Sequence, residues 1–134
     1  MLFIKFSMNY TELNEKLRQL KIEDFIWLIY IGIIFLSWYA NNLEREYFIY
    51  NDLKSRDSYR KVMIFIFVVL VIIYFYFLTD SYYDVKNLKP SDSEQKKNLT
   101  VLSFFASLLI VISGLIYLYI LLKDERIDVE IAFN

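Results

Sequence analysis

Three uncharged apolar runs, at 25–40, 62–79 and 99–122, restrict what this chain can fold into more than any other feature. At about 1.5 Å of helical rise per residue they extend roughly 24, 27 and 36 Å, against a bilayer hydrocarbon core of about 30 Å. The first run is short until Asn41, Asn42 and Leu43 are added, which carries it to 43 with a polar end at headgroup level. A soluble protein would need to bury all three runs, and 134 residues of which 57% are hydrophobic leave too little polar surface to do so. The expected fold is therefore an all-α integral membrane protein: three transmembrane helices with an N-terminal amphipathic helix. The expected location is a membrane, crossed several times, with the cell membrane as the first choice.

A cleaved secretory signal does not fit the first run. Such signals begin near the N-terminus and close on a small-x-small site, whereas this run starts at Phe25 and ends in Ser37, Trp38, Tyr39 and Ala40. The resulting segments are an amphipathic stretch at 1–24, spans at 25–43, 62–79 and 99–122, a charged loop at 44–61, a hydrophilic loop at 80–98 and an acidic tail at 123–134.

Residue types narrow the chemistry. The chain has no cysteine and no histidine, which removes thiol nucleophiles, imidazole bases and most zinc, haem and iron–sulfur ligand sets. Fifteen Lys and Arg against sixteen Asp and Glu give no basic field, so nucleic acid is not an expected partner. Asp80 and Asp84, four residues apart, have a spacing that could share a divalent cation. Placed beside Tyr82 and Tyr83 at the end of a span, however, they read as solvated charges in an aromatic belt. No catalytic residue, metal ligand or cofactor is expected, and the protein is not expected to be an enzyme. Asn9-Tyr10-Thr11 and Asn98-Leu99-Thr100 match the glycosylation pattern and read as chance matches in an Asn-rich chain.

In the leader, Asn9 and Glu12 have capping-box spacing. Tyr10, Leu13, Leu17 and Leu20 form a stripe, with Glu12, Glu15, Lys16, Arg18 and Lys21 around it. That helix would lie on the membrane surface or against another subunit. After the first run, Leu43, Tyr47 and Tyr50 keep helical spacing until Asn51 and Asp52 supply turn chemistry, while Glu44, Arg45 and Glu46 read as a solvated face. The loop at 80–98 holds the only proline, Pro90, and reads as a flexible hairpin. The tail alternates Ile127, Val129 and Ile131 with Asp128 and Glu130, a strand pattern that would need a partner's edge.

The second run has no Gly, Ala or Ser, so it is expected to face lipid, and added volume at Val69 or Val71 should be silent. The third gathers Ser103, Ala106, Ser107, Ser113 and Gly114 on one face, the small-residue pattern that lets backbones approach closely. Gly32, Ser37 and Ala40 of the first run are the expected counterparts, making spans one and three the tighter pair. Lys and Arg divide eight to seven between the two sides of a three-span topology, so charge bias sets no orientation.

These features predict a non-catalytic accessory, regulatory or immunity-type protein acting through helix packing. Its partners would be the lipid bilayer and either another membrane protein or further copies of itself. The alternative is a subunit of a small oligomeric pore or transporter, whose polar elements would be the serines of span three and Gly114.

Overall fold

The computed structural model describes residues 10–123, and within them the chain forms three helices and no strand. They are α1 (Tyr10–Tyr50), α2 (Leu53–Lys86) and α3 (Glu94–Lys123). The alternating tail at 127–131 and the capping position Asn9 lie outside the described residues. Two compact units divide the chain, Met1–Phe35 and Leu36–Asn134, and each is treated by itself.

α1 runs for 41 residues without interruption, so the leader from Tyr10 onward and the first apolar run are one helix rather than two segments. In the first unit Leu13, Leu17 and Leu20 face outward, as do Trp27, Leu28, Ile34 and Phe35. Arg18 bonds the Glu15 carboxylate one turn earlier, and that guanidinium holds Glu15 below the usual carboxylate range.

In the second unit α1 stops because Asn51 turns into the left-handed region at φ 53°, a conformation Asn tolerates better than most residues. Asp52 then caps α2, its carboxylate accepting from the Lys54 amide at 3.0 Å. The whole connection is Asn51 and Asp52, so 53–61, expected as loop, is the first two turns of α2. The second connection is longer but still short. α2 continues to Lys86, beyond Asp80 and Asp84, and α3 begins at Glu94, leaving only 87–93 as turn. Within it Asp92 accepts from the Lys89 amide at 2.8 Å and from Lys96 Nζ at 3.2 Å, and the Ser93 hydroxyl accepts from the Lys96 amide at 3.1 Å. The hairpin at 80–98 is thus a stapled turn between helices.

α2 and α3 are both long and apolar enough to cross a membrane. They run antiparallel and form the extensive helix–helix contact of this unit. Span three thus packs along span two, which was expected to face lipid. Met63, Ile66, Phe67, Leu70, Val71 and Ile73 of α2 and Val111, Gly114 and Leu121 of α3 are buried, with Phe67 and Val71 meeting α3 directly. Beyond the seam the surfaces remain apolar and uncovered. Only 33% and 17% of the most apolar stretches of α2 and α3 are buried, unlike the core helices of a soluble protein.

Candidate interaction surface on the helical hairpin

At Gly114 the two long helices pack closely. A Cβ placed there would sit 3.1 Å from Val71 Cγ2 and 3.2 Å from Tyr74 Cδ2. The absent side chain is what admits the branched Val71 and the Tyr74 ring, so the small residue and its large partners are complementary across the seam. This reverses the expectation for Val71, which is buried at 8% exposure rather than turned to lipid. A helix made of large side chains can be a close-packing partner when the opposite helix supplies the small ones.

Above and below Gly114 the seam alternates apolar and polar ties. Phe67 and Tyr117 meet in a tilted ring contact at 5.8 Å, and Tyr82 meets Phe104 at 6.2 Å. Between them the hydroxyls of Ser81 and Ser107 share a hydrogen bond of 3.0 Å. At the far end the Arg60 guanidinium donates from Nε to the Leu121 carbonyl and from Nη2 to the Leu122 carbonyl, both at 3.0 Å. Carbonyls in the last turn of a helix lack intrahelical donors and carry partial negative charge, so a cation from the neighbouring helix satisfies both needs.

The eight small residues expected to form a packing face have different environments. Gly114 is buried in the seam and Ser107 is half-buried in the bond to Ser81. Ser103, Ala106 and Ser113 are exposed. Ser113 does line an open cleft of about 240 Å³ on the seam, together with Phe67, Tyr74, Leu109 and Tyr117. In α1, Ala40 is buried, Ser37 is half-buried and Gly32 has nothing within 4 Å of where a Cβ would stand.

The elbow between α1 and α2 carries a second polar cluster. The Ser55 hydroxyl lies 2.9 Å from Glu46 Oε2 and 2.9 Å from Asp52 Oδ2, while Arg56 stacks 5.9 Å above the Tyr47 ring. The Ser55 hydroxyl and the Lys54 amide hold the Asp52 carboxyl below its ordinary range. Glu44, expected in water with Arg45 and Glu46, is instead buried at 7% exposure. Its neighbours in sequence gave no sign of this, because burial of one residue in a charged triplet depends on which side of α1 faces the rest of the unit.

Arg60, Ser81, Val71 and Tyr74 are the seam residues that sequence reasoning missed. Arg60 carried the one available signal, a basic residue at the start of an apolar run, which reads equally well as a headgroup anchor. Asp80 and Asp84 both sit on α2, and no cluster of three or more metal-ligating side chains forms among the described residues. The geometry defines an antiparallel hairpin of two membrane-length helices with a closed seam and greasy outer faces. Comparison with known protein families, curated proteins and solved structures finds no match for the chain.

Proposed function

We propose that this is a multi-pass membrane protein of the cell membrane, with the run at 25–43 as a third span. It acts without catalysis, as an accessory, regulatory or immunity-type subunit that binds its partner by helix packing. The observation that carries this reading is the outward face of the hairpin. Phe65, Ile72 and Phe75 on α2, and Leu102, Phe105, Ile116 and Tyr119 on α3, are each at least 45% exposed. Apolar area on that scale is stable only in lipid or against another apolar surface. The 41 residues of α1 extend about 62 Å, enough to cross the hydrocarbon core and emerge on both sides.

The partner is a bilayer-embedded helix of another membrane protein or a second copy of this chain. A pore is the weaker reading, because Ser107, one of the few polar groups of span three, is spent internally on its bond to Ser81. Purification of a tagged full chain in mild detergent tests the choice. The expected result is loss of solubility without detergent, with stoichiometric recovery of a second membrane protein or of a differently tagged copy. Ion flux through liposomes holding the pure chain, abolished by Ser113→Ala, would overturn the accessory reading in favour of a pore.

A further inference from the structure

Where α2 leaves the apolar run and α3 enters it, the two helices diverge around a cavity of about 440 Å³, within the range of small-ligand sites. Its wall combines a carboxylate (Asp84), an amide (Asn87), an ammonium (Lys96) and two hydroxyls (Thr100 and Ser103), with Leu88 and Leu99 supplying apolar area. One turn deeper on each helix the Ser81–Ser107 bond ties the seam together. The side chains of Asp84, Asn87 and Ser103 make no hydrogen bond or ion pair among the described residues. Lys96 gives a hydrogen bond to Asp92 and keeps further donors.

We propose that this cavity is a headgroup site for a zwitterionic phosphodiester bearing a primary ammonium, that is, a phosphatidylethanolamine lipid of the surrounding leaflet. The inference rests on the membrane reading. The ammonium of such a headgroup donates to Asp84 and to the Asn87 carbonyl oxygen, and its phosphate accepts from Lys96 and Ser103. Leu99, at the start of the apolar run, meets the start of the acyl chains. Charge argues against an anionic lipid: through 80–98, Asp80, Asp84, Asp92 and Glu94 are matched by Lys86, Lys89, Lys96 and Lys97, four against four. A choline headgroup has no N–H to donate and is held by aromatic cages, and no aromatic side chain lines this cavity.

The test places the full chain in phosphatidylcholine nanodiscs doped with equal fractions of phosphatidylethanolamine and phosphatidylglycerol, then counts retained lipids by native mass spectrometry after gentle delipidation. Phosphatidylethanolamine should be enriched about tenfold over its share of the disc, the size of effect expected for one charged hydrogen-bonded pair. Asp84→Asn should abolish the enrichment and Ser103→Ala should reduce it, each with unchanged helicity, while Asp57→Asn at the opposite end of α2 should leave it intact. Soluble phosphoethanolamine at millimolar concentration should not displace the lipid. Equal retention of the three lipids, or enrichment that survives both cavity variants, overturns the site and leaves the membrane reading standing. Displacement by soluble phosphoethanolamine overturns the lipid as occupant and assigns the cavity to a free solute. A chain that never enters the discs overturns the membrane reading, and the lipid site with it.

Discussion

Gly114 shows how much one missing side chain decides. An alanine there puts a methyl 3.1 to 3.3 Å from Val71 and Tyr74, close enough that both must give by a few tenths of an ångström. That strain opposes the gain of about 1 kcal/mol that Ala has over Gly in a helix interior, so Gly114→Ala should be near neutral. Gly114→Leu gains a similar propensity term but adds three more carbons to the same contact, and should cost about 1 to 3 kcal/mol by overpacking. Gly32→Leu is the control, since nothing stands within 4 Å of where a Cβ would be. Unfolding midpoints in detergent should fall for Gly114→Leu and stay level for Gly32→Leu. Equal loss at both positions would show that the seam is not where small size matters.

At the scale of elements, the helix ends are fastened by neighbours in space as well as by neighbours in sequence. Arg60 supplies two donors to the last turn of α3 from a position 61 residues away. Arg60→Ala should cost about 1 kcal/mol and speed amide exchange in the last turn of α3 before it affects the middle of that helix. Arg60→Lys retains the charge but not the two-pronged geometry and should fall between. Asp52 fastens α2 from its own turn, and its folded pKa lies below the unfolded value. The cap's contribution is therefore fully present above the unfolded value and disappears as pH falls through the depressed folded one. Helix fraying at 53–56, followed by the Lys54 amide resonance, should begin only in that acid window. Asp52→Asn should remove this pH dependence.

The whole hairpin makes a topological prediction. Because α2 is long enough to cross a membrane, its two ends should lie on opposite sides, and because the turn at 87–93 is short, α3 should return directly. The chain has no cysteine of its own, so Lys54→Cys and Ser93→Cys, both at exposed positions, can be labelled in intact cells with an impermeant maleimide. One should react at once and the other only after permeabilisation. Simultaneous labelling of both would mean that α2 lies along the surface. That outcome would also remove the reason for its uncovered apolar face.

Much of the fold was legible in the residues. Long uncharged runs can satisfy their backbone groups only as helices when water is excluded, and Asn51-Asp52 and Pro90 with its polar neighbours mark where helices must stop. Those are local properties, set by hydrogen bonding within one segment. The choice of partner helix is not local. Gly114 in sequence announces only that a backbone can come close; that Val71 and Tyr74 fill the space follows from a turn of seven residues at 87–93 that holds α3 against α2. Burial of Glu44 and the reach of Arg60 to α3 are likewise decided by which faces meet. Composition and periodicity fix what each segment is, while chain connectivity and close packing in three dimensions decide what each segment touches.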